Sequence, residues 1–165
     1  MKVNVVYYSR SGKNEQVAKA IARALENRGH TAELDRLETT NPNAKIISTI
    51  FMSVFRSPAK LINPPDVSDG DLLVLVGPVW ASAMCPAMRA FLTTLPDLGG
   101  RKVLNIVGGF NPHETVVRDI NHKIKPHHSG QIISDALRMR DVDTPEKTII
   151  IAREIAGRVV DGSGS

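Results

Sequence analysis

The sequence predicts an α/β domain in which helices cover both faces of a parallel β-sheet. Short runs of β-forming residues alternate with helical stripes along the chain, which is the pattern of repeated strand–helix–strand units. The run from Leu72 to Gly77 is almost entirely aliphatic, as expected for a strand covered on both faces. Because crossovers between parallel strands are right-handed, helices fall on both sides of the sheet. The expected architecture is a three-layer sandwich.

Five strands and four helices are expected in alternation. The first helix can close at Gly29, the second starts at Pro86, and the last has Thr144 as a natural N-cap with Pro145 in its first position. The helical stripes are Val17, Ile21, Ala22 and Leu25, then Ala87, Ala90, Phe91, Thr94 and Leu95, then Val116, Val117, Ile120 and Ile124, and finally Ile151, Ile155, Ala156 and Val159. The predicted strands are Val3 to Tyr8, Thr31 to Leu37, Leu72 to Gly77, Lys102 to Val107 and Ile133 to Met139.

One segment, residues 44–65, is harder to interpret. Ile46, Ile47 and Ile50 suggest a helix, but the prolines at positions 58, 64 and 65 prevent it from continuing to the end of the segment. We interpret it as a long connection that packs near the functional site. No repeat or second domain is evident, so one domain over residues 1–160 and a disordered tail at 161–165 are expected.

Charge and cysteine content narrow the class of protein. Lys+Arg number 21 against 17 Asp+Glu, a net charge of +4 without a long block of one sign, so no nucleic-acid partner is expected. The only cysteine, Cys85, cannot form an internal disulfide, and Met1-Lys2 leads straight into a strand-like run, which predicts a cytoplasmic protein. Even the apolar stretch from Ile149 to Val160 is interrupted by charges, so no membrane span is predicted.

Ligands of open parallel sheets bind at the carboxyl ends of the strands, and three loops there have unusual composition. The first runs from Ser9 to Asn14 and joins a strand to a helix. It offers hydroxyls, an amide, cations and the free N–H groups of a helix N-terminus, a combination suited to phosphate. Gly12 would let the backbone approach the anion closely. Taken alone, the loop is better interpreted as an ordinary capped turn.

Other phosphate-binding motifs do not fit this loop. A nucleotide-hydrolase loop would need glycine where Tyr7 stands and Ser or Thr where Asn14 stands. A dinucleotide fingerprint needs three glycines, and the loop has one. A phosphatase loop would need a nucleophilic cysteine, which is absent here.

The second and third loops come after the predicted third and fourth strands. The second, Gly77 to Pro86, contains Trp80, the only tryptophan, at a position suited to stacking on a ligand. The third, Gly108 to Glu114, begins with paired glycines that permit close approach of a flat ligand. Phe110 could cover a ring face or fold back on the core, and neither alternative is favoured.

The first loop resembles the flavodoxin phosphate loop, with Ser9, Ser11 and Gly12 matching and Asn14 in place of the usual Thr. The order of the three loops extends this resemblance over nearly the whole chain. It implies a five-stranded sheet in the order 2-1-3-4-5, noncovalent FMN, Trp80 beside the isoalloxazine, the third loop at its pyrimidine edge, and His113 available to donate a hydrogen bond or proton. The implied cofactor-binding residues are Ser9, Arg10, Ser11, Gly12, Lys13, Asn14, Pro78, Val79, Trp80, Ala81, Ser82, Gly108, Gly109, Phe110, Asn111 and His113.

The sequence is compatible with three functional hypotheses. The chain is an electron carrier that docks on a redox partner protein, an NAD(P)H-dependent quinone or flavin reductase with a small-molecule acceptor, or a flavin-free binding module of the same fold. Cys85 is interpreted as a small buried hydrophobe, and no metal site is expected from the scattered histidines. The sequence does not indicate an oligomeric state.

Overall fold

The computed structural model describes residues 1–40, 59–111 and 114–161, and its centre is a parallel sheet. The longest strand coincides with the aliphatic run and extends three residues beyond it, to Trp80. The strands are β1 (Lys2–Tyr7), β2 (Thr31–Arg36), β3 (Glu38–Thr39), β4 (Leu61–Ile62), β5 (Leu72–Trp80), β6 (Ala83–Met84), β7 (Lys102–Gly109) and β8 (Ile132–Arg138).

The main sheet has the order β2-β1-β5-β7-β8, and all neighbours on this path are parallel. Counted along the chain, these five strands have the order 2-1-3-4-5, which confirms the prediction. The two-residue strand β6 pairs antiparallel with the end of β5, and β3 and β4 form a separate antiparallel pair. The predicted central strand, β5, is indeed the middle one.

Helices cover both faces of this sheet. The α-helices in the described ranges are α1 (Lys13–Glu26), α2 (Pro86–Leu92), α3 (Glu114–Ile124) and α4 (Pro145–Asp161). One buried cluster joins α1 and α4 to the face that carries Val5, and another joins α2 and α3 to the face that carries Val6. Adjacent residues of β1 thus point into different cores, because side chains alternate along a strand. This confirms the three layers.

Local signals set the start of α4. The backbone N–H of Lys147 donates to Thr144 Oγ1 over 3.3 Å, as the predicted N-cap requires. The helix includes Asp161, one residue into the predicted tail, where its carboxylate lies 3.5 Å from Arg28 Nη1. Residues 162–165, and the part of the connecting segment up to residue 58, lie outside the described residues.

Within residues 1–40, 59–111 and 114–161, no helix combines the length and the apolar composition that a membrane span requires.

Candidate functional site

The structure brings the three predicted ligand loops to one edge of the sheet. They come after β1, β5 and β7, which are neighbours and parallel, so their carboxyl ends lie side by side. The backbone N–H of Tyr8 donates to the Val76 carbonyl over 3.0 Å, and Pro78 is the register partner of Gly108. This edge is the candidate functional site.

The first loop leaves a buried hydroxyl without a protein partner. Ser9 is 2% exposed, and its Oγ makes no hydrogen bond within the described part of the chain. Gly12 is the N-cap of α1, with φ +83°, and no side chain caps the helix. A β-carbon at Gly12 would meet open space. A buried donor, an uncapped helix N-terminus and an open approach together fit an anion.

Asn14 connects the first loop to the third. It is 6% exposed in the first turn of α1. A β-carbon at Gly108 would collide with the Asn14 amide and lie 2.6 Å from Met139 Cε. Gly108 is therefore required for close packing of α1 on the end of β7. The predicted contact between Asn14 and phosphate remains a prediction.

Cations outnumber carboxylates near the first loop. Arg36 donates to the Ser9 carbonyl over 3.2 Å and lies 3.8 Å from the Glu15 carboxylate. Glu15 also accepts from Lys19 over 2.6 Å, and this hydrogen bond lowers the pKa of Glu15. Since Glu15 is already paired with these two cations, it opposes a phosphate less than an isolated carboxylate would. Lys13 is exposed at the start of α1.

The second loop differs from the sequence-based prediction. Pro78, Val79 and Trp80 continue β5 instead of forming a loop, because Trp80 pairs with Ala83 in a two-residue hairpin. Trp80 is half-buried and lies edge-on to Tyr8, with ring centroids 5.8 Å apart and planes at 78°. Tyr8 directly precedes the first loop and Trp80 contacts Tyr8, so a flat ligand at this edge could contact both rings.

The hairpin turn itself has an uncommon backbone. Its two central residues, Ala81 and Ser82, have φ of +47° and +57°. Two positive values define the type I′ turn that fits the twist of a two-residue hairpin, but they favour Asn and Gly. Both side chains are exposed. The turn is thus strained where the resemblance places flavin contacts.

The third loop also begins later than predicted. Gly108 and Gly109 are buried final residues of β7, held in register with Leu137 and Arg138 of β8. Phe110 comes next and is 96% exposed, so the alternative in which it folds back on the core is wrong for this structure.

The other predicted residues divide into three groups. Arg10, Ser11 and Asn111 are exposed at this edge. His113 lies outside the described residues, so its role stays a prediction. Cys85 is fully buried, and burial raises the pKa of its thiol to about 12, which agrees with its interpretation as a small hydrophobe. No group of metal-ligating side chains occurs in the residues the structure describes.

Sequence reasoning missed Tyr8, Arg36 and Met139 at this site. Tyr8 is an aromatic residue directly before the first loop, which was an available signal. Arg36 ends β2 opposite Tyr7, and only the parallel pairing of β2 with β1 places it beside Ser9. Met139 directly follows β8, and the pairing of β8 with β7 brings its side chain close to Gly108.

The chain has the flavodoxin-like fold, with its candidate site at the carboxyl edge of the sheet. No protein-family model matches the chain. A curated relative, an NAD(P)H dehydrogenase (quinone) of Cupriavidus metallidurans, is 32% identical over 109 residues, which are 66% of this chain and 54% of the relative. The chain thus spans about half the length of that relative.

Two solved structures are similar over most of the chain. A Streptococcus pneumonia TIGR4 flavodoxin has a TM-score of 0.62 and 14% identity, over 98% of this chain and 99% of the other. A Lactobacillus acidophilus NCFM flavoprotein in complex with FMN has a TM-score of 0.66 and 20% identity, over 86% of this chain and 96% of the other. Their likeness establishes the fold and confirms the resemblance at that level.

Proposed function

We propose that this chain binds FMN noncovalently at the carboxyl edge of the sheet and transfers electrons through it. The observation that carries the proposal is the Ser9 hydroxyl, which is buried beside the uncapped N-terminus of α1 without a partner among the described residues. A buried polar group without a partner costs roughly 1–3 kcal/mol, which a phosphate oxygen would offset. The solved FMN complex of the same fold supports this cofactor.

The residues of the three loops would have separate roles. Ser9, Ser11 and the N–H groups after Gly12 would hold the phosphate, with Arg10 and Lys13 adding positive charge. Trp80 would contact the isoalloxazine, and the backbone beyond Gly109 would face its pyrimidine edge. When bound, the flavin supplies the redox chemistry, whereas the polypeptide positions it and limits access to it.

A second candidate is an NAD(P)H-dependent quinone reductase, which the name of the curated relative favours. In that case NAD(P)H and a small-molecule acceptor would replace the redox partner protein.

A single cysteine that forms no internal disulfide suits the cytoplasm, which we propose as the compartment.

Flavin titration of apo-protein tests the proposal. FMN should bind at least about tenfold more tightly than riboflavin, because only FMN places a dianion at the helix N-terminus. FAD should bind more weakly than FMN, since the loop lacks a dinucleotide fingerprint. Equal binding of FMN and riboflavin, or binding of neither, would contradict the site and leave the flavin-free module.

A matched pair of variants isolates the charge. Gly12→Asp and Gly12→Asn have nearly the same shape, and both residues tolerate the positive φ of this position. The aspartate should weaken FMN by about tenfold or more relative to the asparagine, with riboflavin nearly unaffected by the difference. Equal effects on FMN would place the phosphate elsewhere.

Turnover separates the two candidate functions. FMN-loaded protein that oxidises NAD(P)H with a quinone acceptor is a reductase. A loaded protein that does so only when a separate reductase is added is a carrier.

A further inference from the structure

A groove between α1 and α4 is separate from the candidate flavin site. It has a volume of about 360 Å³, and none of the predicted cofactor-binding residues lines it. This volume lies at the lower end of small-molecule pockets, which hold roughly 300–1,000 Å³. The α1/α4 groove is lined mainly by Lys19, Ala20, Arg23, Ala24, Ile149 and Arg153.

Every ionisable side chain that lines the α1/α4 groove is a cation. Lys19 is paired with Glu15. The ion pairs and side-chain hydrogen bonds of the described residues include neither Arg23 nor Arg153. Within the described ranges, these two guanidinium groups on opposite walls therefore have no carboxylate of their own.

Like charge is concentrated on the α1 wall. Arg23 and Lys19 are four residues apart and share one face of the helix. The hydrogen bond to Glu15 raises the pKa of Lys19, whereas Arg23 acts in the opposite direction, so the two cations lie close enough to repel. An anion between the walls would relieve this repulsion.

The other residues that line the α1/α4 groove are apolar Ala20, Ala24, Pro145 and Ile149 and polar Gln16, Asn27 and Thr148. Ala20 is half-buried and Ala24 is 6% exposed, and their small side chains leave the groove concave. Ile149 contributes from α4 and is 45% exposed. An apolar body that covered Ile149 would gain burial energy.

We propose that the α1/α4 groove binds a small organic anion, in which an acidic head lies between Arg23 and Arg153 and an apolar body covers Ala20, Ala24 and Ile149. The two guanidinium groups suit a carboxylate, sulfonate or phosphate, because their planar donors match these oxyanions. The modest volume and the concave shape favour a small molecule over a protein surface. The proposal does not depend on the flavin, since the two sites share no predicted residue.

Decanoate is a suitable probe, monitored by NMR of the isotope-labelled full chain with and without FMN. The amide signals of Ala20, Ala24 and Ile149 should shift and saturate in both states. Acetate, which has the same head without the apolar body, should bind at least about tenfold more weakly. Shifts that do not saturate, or that lie elsewhere, would overturn the proposal.

Charge variants test the two walls. Arg23→Gln and Arg153→Gln should each weaken decanoate by about three- to tenfold, as expected for loss of one partly exposed charge-assisted contact. Arg118→Gln, an exposed arginine on α3, is the matched control and should leave the affinity unchanged. Equal affinities across the three variants would contradict the assignment.

A second variant tests the shape and keeps the charges. Ala20→Leu should fill the α1/α4 groove and abolish the shifts, while an unchanged far-UV circular dichroism spectrum shows that α1 still folds.

A lipid surface is tested with phosphatidylglycerol vesicles. If the protein cosediments with these vesicles but decanoate causes no amide shifts, the small-molecule proposal is overturned in favour of a membrane surface.

Discussion

The type I′ turn at Ala81 and Ser82 predicts an unusual effect of glycine. Both residues have positive φ, which costs roughly 1–2 kcal/mol for a side chain with a β-carbon. Ser82→Gly removes this cost but adds roughly 0.5–1 kcal/mol of backbone entropy to the unfolded chain. The free energy of unfolding of the apo-protein should therefore rise by about 0.5–1 kcal/mol. In a domain of this size, each kcal/mol corresponds to an increase of roughly 2–4 °C in Tm.

The neighbouring strand residue supplies the control. Ala83 belongs to β6 and does not have a positive φ. Ala83→Gly should destabilise the apo-protein by about 0.5–1 kcal/mol, since glycine there gains nothing in the folded state. Two substitutions to glycine in adjacent positions should thus have opposite signs.

Urea unfolding of both variants, monitored by far-UV circular dichroism, measures the difference. Unequal midpoints at a common slope report stability alone, and the slope also checks that the unfolded states are comparable. Destabilisation by Ser82→Gly as large as that by Ala83→Gly would refute the left-handed turn. Ala81→Asn should also stabilise, because asparagine tolerates the same region of φ.

The remaining predictions concern the site, the start of α4 and the core. Ser9→Ala should stabilise the apo-protein by up to about 1 kcal/mol, because the buried hydroxyl has no hydrogen-bond partner without a ligand. The same variant should weaken FMN binding about tenfold, and an unchanged FMN affinity would contradict the predicted contact. FMN should quench the emission of Trp80, and a constant spectrum would place that ring away from the flavin. Thr144→Ala should lower the free energy of unfolding by about 1 kcal/mol in urea, and no change would mean that its hydrogen bond caps nothing. The Cys85 thiol should resist a disulfide reagent at about pH 8 until the chain unfolds, and rapid labelling of native protein would disprove its burial. Burial raises the pKa of the Cys85 thiol from 9.0 to about 12 in the folded chain, so the stability that the buried neutral thiol contributes should be lost as the pH rises through that interval. Urea unfolding of the protein and of Cys85→Ala at several pH values across the interval measures this loss.

Pattern alone was sufficient for the layered architecture. The aliphatic run from Leu72 and the stripes of α1 and α4 were each predictable from periodicity, because a residue's burial on a strand or helix depends on its spacing from its neighbours. The start of α4 was also predictable, since an N-cap acts within one turn. The loop order was sufficient for the family resemblance.

Strand ends were less predictable, because pairing partners decide them. Trp80 continues β5 since Ala83 returns to pair with it, and Gly109 continues β7 since Arg138 lies opposite. Glycine and proline suggested loops in both places, yet hydrogen bonding between strands outweighed those local preferences. The same pairing imposes positive φ on Ala81 and Ser82, which nothing in their identity suggests.

Residue types and their order were enough to locate the candidate site, whereas the surroundings of each residue depend on the folded chain. Composition and order led to the prediction that the first loop holds a phosphate, because hydroxyls and a glycine before a helix suit an anion. Only the fold shows that the Ser9 hydroxyl is buried without a partner in the described ranges, that Arg36 reaches the Ser9 carbonyl, and that Asn14 packs over Gly108. These contacts join residues far apart in the chain, and the order of strands in the sheet brings them together.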